Sequence, residues 1–121
     1  KTAQIKILYG EGNEQVLNAQ AASMQKAGYK VEKASNRKLV EALLRHESFD
    51  LVVLGPTLTR DDRHHLPYMV KKSHPGTRVL VLHADGGRHP YVDGNLDTGH
   101  RLEELLEKIT SFRAIAATAG R

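Results

Sequence analysis

The sequence predicts a parallel α/β domain, and three observations carry that prediction. Short runs rich in Ile, Val and Leu, such as LVVL at 51–54 and RVLVL at 78–82, read as strands buried on both faces. Between such runs lie stretches with apolar residues three and four apart, the spacing of amphipathic helices. The chain has 121 residues, 40% of them hydrophobic, which suits one domain with its own core. Strands alternating with helices imply a parallel sheet wound by right-handed crossovers.

The elements follow in order. IKILY, residues 5 to 9, is the first strand, and GEGN turns away from it. Residues 14 to 27 form a helix with Leu17, Ala21 and Met24 on one face, closed by Gly28 as a left-handed C′ residue. YKVEKA, 29 to 34, alternates like a strand. Ser35 and Asn36 are the candidate caps of a second helix, with Leu39, Val40, Leu43 and Leu44 as its apolar stripe. Asp50 to Leu54 is the third strand and Arg78 to Leu82 the fourth. In the last helix, Thr98 to Phe112, the residues Leu102, Leu105, Leu106, Ile109 and Phe112 share a face.

Two segments are less regular. Thr59 and Asp62 have the form of a capping box, with Asp where Glu is preferred. A helix begun there meets Pro67 in its interior and loses a hydrogen bond. A start at Leu66 would instead put Pro67 at the first helical position and leave TLTRDDRHH as a loop. The cap favours a helix from about Asp61, bent near Pro67. Residues 84 to 97, ADGGRHPYVDGNLD, are glycine-rich and leave room only for a short fifth strand around Tyr91 and Val92.

Composition excludes several functions. With no cysteine, disulfides and cysteine-based zinc sites are impossible, in keeping with a reducing, cytoplasmic setting. No apolar run approaches a membrane span, and the first residues enter a strand pattern without a signal-peptide core. The net charge is +4, but cations and anions interleave along the chain, as in EKASNRK. That pattern describes a solvated surface. No motif for nucleic-acid recognition accompanies it.

The order and spacing of these elements resemble a known family. KILYGEGNEQVLNAQAASMQKAGYKV, residues 6 to 31, matches the opening strand, first helix and AGY-x-V step of the receiver domains of two-component response regulators. FDLVVLGPTL and HPGTRVLVLHA match its third and fourth strands. The resemblance covers most of residues 5 to 112. It implies a flavodoxin-like, doubly wound five-stranded sheet of order 2-1-3-4-5. The receiver-like domain then occupies 1–113, with 114–121 as a C-terminal tail. The segment between the fourth and fifth strands is too short for a full fourth helix.

Receivers accept a phosphoryl group on an Asp ending the third strand. Two acids after the first strand help hold Mg²⁺, a hydroxyl ends the fourth strand, and a Lys ends the fifth. In this chain the acid pair falls on Glu11 and Gly12, the acceptor on Gly55 and the hydroxyl on His83, and no Lys lies between Lys72 and Lys108. The resemblance therefore implies a degenerate receiver with a vacated pocket, no catalytic residue, no cofactor and no bound metal. It implies a signalling module rather than an enzyme, with a protein partner such as a kinase or effector, and homodimerisation as an option.

Other readings of the same residues exist. An open α/β sheet places ligands at its strand ends, so Glu11, Gly55, His83 and Asp85 form a candidate ligand or metal crevice. None of the seven histidines pairs with another at a recognised metal-binding spacing. HADGGRHP is Gly-rich but lacks the spacing of a phosphate-binding loop.

Overall fold

A computed structural model describes residues 5–55, 57–82, 94–96, 104 and 106–111. The strands are β1 (Lys6–Gly10), β2 (Lys30–Ala34), β3 (Leu51–Leu54), β4 (Arg78–Leu82) and β5 (Gly94–Leu96). They pair in parallel in the order β2-β1-β3-β4-β5. The helices are α1 (Glu14–Lys26), α2 (Arg37–His46) and α3 (Arg60–Ser73). Residues 106–111 are also helical. The segment between β4 and β5 and the tail 114–121 lie outside the described residues, as do His83 and Asp85.

The period of two along each strand divides the core into two layers. Ile7, Tyr9, Leu51, Val53, Leu80 and Leu82 pack with Leu17, Ala21 and Met24 of α1 and with Ile109. Leu8, Val52, Leu54, Val79 and Val81 point the other way, against Val40 and Leu44 of α2 and Leu66 and Val70 of α3. Both faces of the sheet are thus covered, which is why β1, β3 and β4 read as near-continuous apolar runs, while β2 alternates. Among the described residues no helix is long and apolar enough to cross a membrane.

The helix ends follow the local sequence. Asn13 caps α1, accepting hydrogen bonds from the N–H groups of Gln15 (2.9 Å) and Val16 (3.1 Å). Of the two candidate caps of α2, Asn36 serves, accepting from the Leu39 N–H at 3.0 Å. At the end of α1, Tyr29 N–H donates to Met24 O and Gly28 N–H to Gln25 O, the paired bonds of a Schellman motif. Gly28 sits at φ 103°, and Met24 and Tyr29 are buried in the same layer. Gly28→Ala is expected to lower stability by about 1–2 kcal/mol, because an L side chain resists this backbone conformation. Space is not the reason, since an added Cβ would meet nothing within 4 Å. Chemical denaturation should show the loss as a lower midpoint with an unchanged slope.

Three sequence expectations change in detail. The short fifth strand, expected around Tyr91 and Val92, is Gly94–Leu96. The third strand begins at Leu51 rather than Asp50. Asp50 instead joins its neighbours at the strand's edge, its carboxylate accepting from the Lys6 N–H at 2.8 Å. Helix α3 starts at Arg60 and runs unbroken through the buried Pro67. The cap decides this: the Thr59 side chain accepts from the Asp62 N–H at 3.1 Å. The first turn thus forms well before Pro67, and burial of Leu66 and Val70 holds the helix across the missing bond.

Candidate functional site

The C-terminal ends of β1 and β3 lie side by side. Their register pairs Ile7 with Leu51 and Tyr9 with Val53. Continued by two residues, it sets Glu11 opposite Gly55, and the period of two directs both toward the α1 layer. Gly55 N–H donates to Gly10 O at 2.7 Å, which keeps the two chains paired to this point.

The position across from Gly55 is not vacant. A Cβ added at Gly55 would lie 2.0 Å from Glu11 Oε2 and 2.5 Å from Glu11 Cδ. The Glu11 carboxylate therefore occupies the volume in which a side chain at 55 would begin. Glu11 is fully buried. Its Oε1 accepts from the Thr57 N–H at 3.0 Å and from the Thr57 hydroxyl, and Tyr9 Oη donates to Oε2 at 3.4 Å.

Thr57 joins the two loops further. Its Oγ1 accepts from the Asn13 N–H at 2.8 Å. Gly12 permits this closeness, since a Cβ there would come within 2.8 Å of the Thr57 carbonyl oxygen. Gly12 thus does more than lack a carboxylate: its bare Cα lets the loop after β1 rest on the loop after β3.

Burial raises the Glu11 carboxyl above its ordinary value, opposed by hydrogen bonds from the backbone of Thr57, Asn13 and Gly12 and from Tyr9. Tyr9 is pushed above the ordinary phenol range, by burial first and then by the neighbouring carboxylate. The folded state therefore holds a proton on Glu11 more tightly than the unfolded state does. Stability from this group is full below the ordinary carboxyl value of 4.5 and declines as pH rises through the raised one. Glu11→Gln keeps the shape without the charge. Its stability relative to wild type should rise with pH through that window and level off above it. Urea midpoints of the two proteins that stay parallel from pH 4 to 8 would contradict this reading.

Of the residues singled out in the sequence, the structure brings Glu11, Gly12 and Gly55 together and leaves His83 and Asp85 outside what it describes. Thr57 and Tyr9 complete the cluster and were not anticipated. A hydroxyl three positions beyond the strand end was the available signal for Thr57. Among the described residues no group of three His, Asp or Glu side chains is placed to hold a metal ion.

No protein-family profile matches the sequence, and no curated protein is significantly similar to it. Solved structures are. The signal receiver domain of an HD domain-containing protein from Pseudomonas fluorescens superposes with a TM-score of 0.84 at 18% identity, over 96% of this chain and 99% of that one. The chemotaxis response regulator CheY4 of Vibrio cholerae gives 0.79 at 18% identity, over 91% and 99%. The response regulator TrrA of Thermotoga maritima, solved with Mg²⁺ and BeF, gives 0.79 at 17% identity, over 90% and 99%. The chain has the flavodoxin-like α/β fold of response-regulator receiver domains.

Proposed function

We propose that this chain is a receiver-like signalling module that takes no phosphoryl group on its third strand and acts through protein–protein contact in a two-component-type pathway. One observation carries the reading: residue 55 has no side chain, and the Glu11 carboxylate fills the space where one would stand. Phosphoryl transfer to an Asp needs an exposed carboxylate as nucleophile and a cation against the developing charge. Glu11 is buried and committed to Thr57 and Tyr9, so it serves neither need. The same engagement weighs against a ligand or metal crevice built on Glu11, Gly55 and His83. The kinase- or effector-type partner implied by the resemblance belongs to this proposal.

The test is incubation with acetyl phosphate and Mg²⁺ followed by intact mass. The expected spectrum is that of the unmodified chain. An adduct of one phosphoryl group, labile to acid and base, would overturn the reading. A thermal-shift screen with divalent metals and nucleotides addresses the crevice separately, and no stabilisation is expected.

A further inference from the structure

The cations that look evenly spread in the sequence are not evenly spread on the fold. Helix α2 carries Arg37, Lys38 and Arg45 against Glu41 alone. Helix α3 carries Arg60, Arg63, Lys71 and Lys72 against Asp61 and Asp62. These two helices account for the whole net charge of +4, and the rest of the chain is balanced.

The two helices present one surface. Their N-terminal ends are joined by Arg37, which bonds Glu41 at 2.8 Å and approaches Asp62 at 3.8 Å. Their C-terminal ends are joined where His74 Nε2 meets Leu44 O at 2.8 Å. Glu41 is held low first by its hydrogen bond from Arg37 and further by the neighbouring charges of Arg37 and Arg45. Lys38, Arg45, His65, Tyr68 and Lys72 are exposed. Lys72 Nζ stands 5.9 Å from the Tyr68 ring centroid, and the His65 ring lies 6.4 Å from the same ring.

We propose that the α2–α3 face is a docking surface for an acidic protein partner. The proposal rests on the protein-contact reading above and names the surface and the partner's charge. The exposed Tyr68 and Arg45 are of the residue types that protein interfaces favour. Excess positive charge on one face steers an acidic partner to it. Asp61, Asp62 and Glu41 break the basic field, and they would stand against phosphates in a nucleic-acid complex. A protein partner accommodates them, since it brings both signs.

The probe is a fluorescein-labelled amphipathic helical peptide rich in Glu and Leu, titrated with the whole chain and read by fluorescence anisotropy. A copy with Gln for Glu, a DNA duplex and phosphatidylserine vesicles serve as comparisons. The Glu peptide should bind, more weakly as salt rises, and the Gln copy should not. Lys38→Glu, Arg45→Glu and Lys72→Glu together should weaken binding at least tenfold. Lys26→Glu, Lys30→Glu and Lys33→Glu, an equal charge change on α1 and β2, should leave it within about twofold. Circular dichroism confirms that both variants fold. Absence of peptide binding at low salt, equal loss in the two variants, or tighter binding of DNA or vesicles would each overturn the proposal. The acetyl phosphate experiment reads a different site, so its result can fail independently of this one.

Discussion

Gly55→Ala is expected to lower stability by about 2–4 kcal/mol, although the change adds a single methyl group and removes nothing. The added Cβ would stand 2.0 Å from a carboxylate oxygen of Glu11, so the carboxylate must leave. Overpacking of this kind costs about 1–3 kcal/mol. Its departure also takes the acceptor from the Thr57 N–H, and losing this part-buried hydrogen bond costs about 0.5–1.5 kcal/mol more. The decisive experiment is the double-mutant cycle with Glu11→Ala. Once the carboxylate is gone, the methyl at 55 enters free space. The double variant should therefore be more stable than the sum of the single effects predicts, by at least about 1 kcal/mol. Strict additivity would show that the two residues do not share this volume.

Leu54→Ala is expected to cost about 3–5 kcal/mol, at the upper end of the range for buried Leu truncations. Leu54 is fully buried in the α2–α3 layer. The cost depends on how far the neighbours collapse into the gap, and here they collapse poorly. Leu54 Cδ2 lies 3.6 Å from where a Cβ on Gly10 would be, so its strand neighbour has no side chain to move inward. Leu39→Ala is the control. Leu39 is 45% exposed, and its truncation should stay within about 0.5 kcal/mol. Urea midpoints at constant slope measure both. For a domain of ordinary stability, about 5–15 kcal/mol, the Leu54 variant loses a large share of the total.

Strands and helices were legible because burial on both sheet faces leaves apolar runs, and α1 to α3 carry caps in the residues just before them. Pro67 made α3 ambiguous. A local rule against internal proline competed there with the Thr59–Asp62 cap and with the apolar Leu66 and Val70, and cap and packing together prevailed. The site was only half legible. Gly55 and Gly12 could be read as missing side chains. The filling of their space by Glu11 depends on strand register, which joins residues 46 apart in the Glu11–Thr57 pair. Periodicity within each strand fixes the parity of their register but not which residues stand opposite each other. Yet once β1 and β3 are paired, shared parity of Tyr9, Glu11, Val53 and Gly55 makes the contact unavoidable.

The close approach at Gly12 bears on which mutational paths are open. A side chain there would press on the Thr57 carbonyl oxygen, a backbone atom that cannot swing aside as a side chain does. An acid at 12 must therefore wait for the loop after β3 to shift, while an acid at 55 must wait for Glu11 to withdraw. Each change is penalised in the background of the others, so the order of substitutions matters as much as their number. A laboratory selection for phosphoryl acceptance begun from this sequence should stall at single substitutions. It should advance only in libraries that vary Glu11, Gly12, Gly55 and Thr57 at once.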